Sequence, residues 1–383
     1  MIPDPDTLRP PDTETAAQLL GWRPRHGVLS VYIAIDPGNR GQGWRTAVHN
    51  GLSEVVESAE GGDHELRKAL RATAERLEHD LEEDRKGEHR GLIGFVEVAA
   101  KEGADRWLAT QIAPQRIEVL HAPGPQIHQL LELLDDGAPL GVAAVSSERV
   151  RLLDWRLGSI EQLHDWELSY FGEDWKERKS HRPDPSRGEA VSSSGRDQYN
   201  QRLEANRERF AEQAGRLAHG ESRKRDWRRA VVFGDQRYVG KFAEGFGQGI
   251  ELAHLDGDLV SEPTDVIERR IDQLLPGLNR SREAGLIERI KEAAYAEGRS
   301  SLGVQETLQA LREGRVEHLV YDATRDYSEV ELEPEAASRL DGTPLIEQMV
   351  ELAIGTGAQI TPVEGDTAAG LAEQGGVAAL LRY

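Results

Sequence analysis

The sequence predicts an α/β protein made of three consecutive mixed α/β domains. The chain has 383 residues, more than one ordinary hydrophobic core supports. Short apolar runs alternate with segments whose apolar residues recur every three or four positions, the pattern of strands interleaved with helices. Charge and turn residues interrupt that alternation at Asp135-Asp136-Gly137-Ala138-Pro139, and a further break falls near Arg280. The expected domains are therefore 1–136, 137–279 and 280–383.

In the first segment, residues up to Thr15 are rich in Pro and Asp and read as irregular. Val28 to Ile35 is an apolar strand, followed by an Asp36-Pro37-Gly38 turn. Trp44 to Ser58 and His64 to Glu83 are helices, the second with Leu66, Leu70, Leu77 and Leu81 at helical spacing. Gly91 to Val98, Trp107 to Ile112 and Arg116 to Leu120 are further strands. In the second segment, Leu140 to Val145 and Val150 to Trp155 read as a hairpin around Ser146-Ser147-Glu148-Arg149, and Arg156 to Trp166 continues the sheet. A long polar loop, 172–197, follows; such a connection inside a compact domain is uncommon. Gln198 to Ala218 is a helix with Tyr199, Leu203, Phe210, Ala214 and Leu217 on one face. Ala230 to Phe233 is a buried strand, and Pro263 to Leu275 a helix opened by its proline.

The third segment reads as helices at Glu283 to Gly298, Leu302 to Leu311 and Leu345 to Ile354, the last opened by Thr343-Pro344. Its strands are His318 to Tyr321, Gln359 to Val363 and Val377 to Leu381. Helices and strands in this order imply a layered α/β fold with some parallel pairing.

Composition narrows the function classes. The formal net charge is −21, and 38% of residues are hydrophobic. An acidic chain argues against nucleic acid in general but leaves room for a local basic patch. The absence of cysteine removes disulfides and thiolate metal sites. No apolar run approaches the ~20 residues of a membrane span, and the N-terminus lacks a signal-peptide pattern, so the cytoplasm is the expected location. The twelve histidines show no metal-ligand spacing, and neither a Gly-x-Ser-x-Gly elbow nor a dinucleotide fingerprint is present. No metal or cofactor is expected. Gly234 to Lys241 has the outline of a phosphate-binding loop but the wrong glycine spacing, and Phe242 where Ser or Thr is needed. Gly245-Phe246-Gly247-Gln248-Gly249 reads as a turn after a strand.

One dense basic run interrupts the acidic chain: Arg223-Lys224-Arg225-Asp226-Trp227-Arg228-Arg229. It reads as a phosphate contact with Trp227 available for base stacking, or as a solvated loop with Trp227 covering the core edge. Lys176, Arg178, Lys179, Arg182 and Arg187 in the long loop are nearly cancelled by acidic neighbours.

The helix at Leu302 to Leu311, the strand Arg315 to Tyr321 and the closing phrase Gly375-Gly376-Val377-Ala378-Ala379-Leu380-Leu381-Arg382-Tyr383 resemble the third domain of the archaeal and eukaryotic class-1 peptide chain release factors, especially their bacterial relatives. The stretch Ser192-Ser193-Ser194-Gly195-Arg196-Asp197-Gln198, leading into a basic, aromatic helix, is similar to their catalytic loop. There a Gly-Gly-Gln tip precedes a long helix of the middle domain. The resemblance implies a release-factor-like catalytic domain in the middle and an αβα domain at the end. It implies binding at the ribosomal A site, with tRNA and ribosomal RNA as partners and a translational GTPase at the third domain. Glycine permits close approach of a thin backbone, and glutamine orients water without adding charge. On this reading Gly195 and Gln198 are catalytic, and Arg196, Arg202, Arg223, Lys224, Arg225, Trp227, Arg228 and Arg229 contact RNA. Only Gly195 is kept of the glycine pair, and Arg196 and Asp197 separate it from Gln198. Stop-codon motifs are absent from the first segment, so ordinary termination is not expected. The expected function is peptidyl-tRNA hydrolysis on stalled ribosomes. The alternatives are a non-catalytic hibernation or stress factor in the A site and a ribosome-independent RNA-binding protein.

Overall fold

The computed structural model describes residues 11–35, 43–59, 64–83, 89–100, 105–169, 176–177, 193–296, 298–328, 330 and 344–383, with the side chains of 82–83, 176–177, 193–199 and 296 outside that description. The fold is mixed α/β with three sheets. By contact the chain forms two compact units, Met1–Gly137 with Leu275–Tyr383, and Ala138–Leu274. The three-domain division stays a proposal about organisation.

The first unit holds two sheets. The N-terminal one, in order β3-β2-β1-β4, is antiparallel throughout, from β1 (Val28–Ala34), β2 (Gly91–Glu97), β3 (Arg106–Thr110) and β4 (Glu118–Ala122). Strand β1 is buried along nearly its whole length because both sheet faces are covered. Helices α2 (Gly43–Ser58) and α3 (His64–Glu83) pack Val48, Leu52, Leu70 and Leu77 on Leu29, Val31 and Ile33. The opposite face carries α1 (Thr13–Leu20) and α4 (His128–Asp136). Helix α1 corrects the expectation of irregular chain at Thr13 to Thr15, residues 1–10 lying outside the described residues. Asp12 caps it, its side chain accepting from the Thr15 amide at 2.7 Å in a reciprocal capping box.

The C-terminal sheet runs β11-β14-β12-β13, from β11 (Ser300–Leu302), β12 (Val316–Asp322), β13 (Gln359–Val363) and the closing β14 (Val377–Leu381). Strands β12 and β13 are parallel; β14 pairs antiparallel with β11 and β12. Helices α8 (Val304–Arg312) and α9 (Leu345–Gly355) share a core with α1 and α4, joining both ends of the chain in one hydrophobic cluster. The short α10 (Gly365–Ala369) and the second half of α7 (Thr264–Ala296) cover the other face.

The second unit is built on a six-stranded sheet, β10-β9-β5-β6-β7-β8. The expected hairpin is β5 (Leu140–Val145) and β6 (Arg149–Arg156), with Val145 opposite Val150, extended by β7 (Ser159–Glu167) and the two-residue β8 (Lys176–Glu177). Beyond β5 the sheet is parallel through β9 (Arg229–Gly234) and β10 (Glu251–Leu255). Helix α5 (Ser193–Lys224) leads into β9, and α6 (Gln236–Phe246) connects β9 to β10.

Two expectations change here. Gln236 to Phe246 is a helix, and the turn expected at 245–249 is confined to Gly247 to Gly249: Asp235 caps α6, accepting from the Arg237 amide at 2.9 Å, and Val239, Phe242 and Phe246 are buried at helical spacing. Gly245 belongs to that helix. A Cβ there would lie 1.8 Å from the Glu212 carbonyl oxygen, and one on Gly215 would lie 2.1 Å from the Phe242 oxygen. The two glycines let the backbones of α5 and α6 touch. The helices expected at 263–275 and 283–298 are one helix, α7, continuous through Pro276. An interior proline costs about 3 kcal/mol. Burial of Ile267, Ile271 and Leu275 before it, and of Leu286, Ile287 and Ile290 after it, outweighs that cost. Among the described residues no helix is long and apolar enough to cross a membrane.

Candidate nucleic-acid interface

Helix α5 carries most of the residues singled out from sequence. Its inner face packs Phe210, Ala211, Ala214 and Ala218 on the sheet and on α6. Leu217, expected on that face, is 39% exposed, because the small residues at 211, 214 and 215 are what let α6 approach. The first helical residue is Ser193, so Gly195, Arg196, Asp197 and Gln198 lie in the first two turns of α5 rather than in a loop before it. Their side chains fall outside the described residues, as do those of Tyr199 and of Lys176, Arg178, Lys179, Arg182 and Arg187.

The basic run 223–229 is largely spent inside the unit. Trp227 is 4% exposed and donates Nε1–H to Asp154 Oδ1 at 2.5 Å. Its ring lies over Gly141, where a Cβ would come within 2.4 Å of the indole. In this position Trp227 covers the core edge and presents no open ring face for base stacking. Arg225 is held by Asp154 at 3.1 Å and Glu161 at 3.2 Å, and those carboxylates raise its pKa against the opposing effect of burial. Lys224 pairs with Glu221 at 2.7 Å. Arg229, the first residue of β9, is buried. Arg223 and Arg228 stay exposed. Dense charge in the chain is thus a clamp on Asp154 in space.

Arg202 is exposed on α5, and Arg209 and Arg216, not singled out from sequence, share its outward side. Glu204 and Glu208 of the same helix are turned to partners within the unit, while Glu212 pairs with Arg216. Glu204 accepts from the Tyr238 hydroxyl at 2.6 Å and pairs with Arg237 and Arg207; Glu208 pairs with Arg237 at 2.9 Å. Hydrogen bonding by Tyr238 is the first reason that the Glu204 pKa is lowered. The seven-residue recurrence of arginine was the available sequence signal for this side of the helix.

A second polar cluster lies in the first unit, where α4 meets the C-terminal segment. Arg282 grips Asp135 with both terminal nitrogens, Asn279 donates to Asp136 at 2.6 Å, and Arg116 reaches Glu364 at 2.6 Å. His128 Nδ1 lies 2.9 Å from the Tyr321 hydroxyl, and burial lowers its pKa to about 4. Glu132 is 5% exposed, and neither carboxylate oxygen has a hydrogen-bond donor among the described residues. Burial first, then the neighbouring Glu364 carboxylate, pushes its pKa to about 8. A proton shared with Glu364 relieves that pair. The cluster forms a polar seam within the unit. No group of three or more metal-ligating side chains occurs among the described residues.

Residues 125–260, which span α4 and the sheet and helices of the second unit through β10, match the bacterial archaeo-eukaryotic release factor family 10. Among solved structures, the chain is similar to the archaeal translation termination factor aRF1 at 16% identity, covering 97% of this chain and 96% of that one, with a TM-score of 0.25. A model of ribosome-bound archaeal Pelota with ABCE1 aligns at 12% identity over 98% and 95%, TM-score 0.40. S. cerevisiae Dom34, described as a translation termination-like factor, aligns at 8% over 98% and 92%, TM-score 0.39. No protein with a curated description matches. Those scores are too low for the solved structures to carry an argument. The family match covers residues 125–260, less than half of the chain, and shows similarity to the bacterial archaeo-eukaryotic release factor family over that span.

Proposed function

We propose that this protein is a ribosome-associated, release-factor-like translation factor that occupies the A site and contacts tRNA and ribosomal RNA without hydrolysing peptidyl-tRNA. The family match over residues 125–260 supports the ribosomal part. The observation that carries the non-hydrolytic part is the helical backbone at Gly195 to Gln198. A helix with side chains is about 10 Å across, too thick to enter where a glycine tip would. Amides beyond the first four of a helix donate to carbonyls one turn back, so the Gln198 N–H is committed to the helix rather than to water.

Hydrolysis with Gln198 orienting water and Gly195 allowing approach is the second reading. It is favoured by the position of both residues at the electropositive start of α5, where a developing oxyanion would be stabilised. A translational GTPase at residues 280–383 belongs to the same proposal on family resemblance alone.

The test sediments the protein with bacterial ribosomes carrying labelled peptidyl-tRNA, as wild type and as Gln198→Ala, and scores peptide release in the same samples. Both proteins are expected to sediment with ribosomes and to release nothing. Release by the wild type that vanishes in Gln198→Ala would establish the hydrolytic reading instead. Absence of co-sedimentation would remove the ribosome from the proposal.

A further inference from the structure

Arginine recurs along α5 at Arg202, Arg209, Arg216 and Arg223, every seventh residue. Seven residues fall about 20° short of two full turns, so the four form one gently drifting row of roughly 32 Å at 1.5 Å per residue. All four are exposed, and so are Asn206, Gln213 and Gly220 between them. No aspartate or glutamate occupies those positions. Arg216 pairs with Glu212 beside it, whereas Arg202, Arg209 and Arg223 form no ion pair with a described residue. In a chain of net charge −21, an arginine row with a single paired member is a local reversal of sign.

We infer that this solvent face of α5 docks the phosphate backbone of RNA. Each guanidinium presents a planar fork of donors that matches phosphate oxygens, and Asn206 and Gln213 add neutral donors between them. Most acids that would compete with phosphate are engaged elsewhere, Glu204 and Glu208 with Arg237 and Glu221 with Lys224 and Arg225, whereas Glu212 would have to release Arg216. A protein partner fits less well. Stable protein interfaces centre on buried apolar anchors, and the only large exposed apolar side chain on α5 among the described residues is Leu217. The inference rests on the ribosomal reading in taking RNA, rather than another polyanion, as the ligand.

The experiment measures affinity of the full chain for bacterial ribosomes and, separately, for free tRNA, across a salt series. It compares wild type, Arg209→Gln with Arg216→Gln, and a charge-matched control, Arg269→Gln with Arg270→Gln. The control arginines are exposed on α7. Far-UV circular dichroism and melting confirm that all three fold; glutamine is a good helix former. The row variant is expected to bind about 10-fold or more weakly at low salt, with a log K against log salt slope shallower by roughly 1.5, since each phosphate contact contributes about 0.7 to 0.9. The control keeps the wild-type slope. Row-dependent binding to tRNA but none to ribosomes would uphold the surface and refute the ribosomal reading. Wild-type affinity and slope in the row variant would overturn the surface and leave that reading standing. Weaker binding with an unchanged slope would overturn it in favour of a protein contact, and no binding of either RNA by the wild type would overturn it outright.

Discussion

Helices α4 and α5 handle charge in opposite ways. Nine-residue α4 turns Glu132, Asp135 and Asp136 inward, against Arg116, Arg282, Asn279 and Glu364. On 32-residue α5 Arg202, Arg209, Arg216 and Arg223 are exposed, and Glu204 and Glu208 are tied to Arg237 on α6. Buried charges must be matched at fixed geometry, because an unpaired one carries its full desolvation cost. Exposed charges cost little and contribute little to folding, which leaves them free to bind. Tertiary wiring is therefore expected to depend on α4, and ligand affinity on α5.

The largest effect is expected from breaking the α4 seam. Arg282→Met leaves the largely buried Asp135 with only the Thr361 hydroxyl at 3.2 Å as a remaining side-chain donor among the described residues. Unfolding in urea should show a loss of about 3 to 5 kcal/mol, the usual cost of orphaning one member of a buried pair. A loss under about 1 kcal/mol would mean that the seam tolerates an uncompensated carboxylate.

A smaller effect, with a diagnostic pH dependence, is expected at Glu132. Its folded pKa of about 8 lies above its ordinary value of 4.5, so the folded state holds a proton that the unfolded state has released between those values. The contribution of this group is complete below pH 4.5 and is lost as pH rises through about 8. Glu283, raised to about 7 mainly by burial, works in the same direction; His128, lowered to about 4, removes stability only on the acid side. Glu132→Gln should match the wild type near pH 5 and exceed it by on the order of 2 kcal/mol at pH 9. A constant difference across that range would show that no proton is held at this position.

The smallest stability effect belongs to α5. Arg209→Gln with Arg216→Gln should leave the unfolding free energy within about 0.5 kcal/mol of wild type, as surface substitutions do. A clear destabilisation would erase the contrast between the helices and make the arginine row part of the fold.

Local pattern accounts for much of the secondary structure. Strand β1, the β5–β6 hairpin and the closing β14 are continuous apolar or alternating runs, legible without a partner. Helix α6 escaped such a reading because three glycines, at 240, 245 and 247, mimic turn chemistry. In the structure Gly245 is a contact point for α5, a fact that depends on residues thirty positions away. The gap expected between helices at 263–275 and 283–298 was misread for a similar reason: proline lowers local helix propensity, and packing on both sides of Pro276 restores the helix.

The candidate site divides along the same line. Residue types and spacing alone determined that the chain is α/β, that it resembles release factors, and that Arg202 and Arg223 stand on or beside a long helix. Whether a given cation faces water was decided by tertiary structure. Trp227 and Arg225 are withdrawn because Asp154 on β6 holds both, across more than seventy positions of sequence. Arg209 and Arg216 are presented because α6 and the sheet claim the opposite side of α5. Charge is a property of a residue, but its availability depends on which neighbours the fold brings within hydrogen-bond reach.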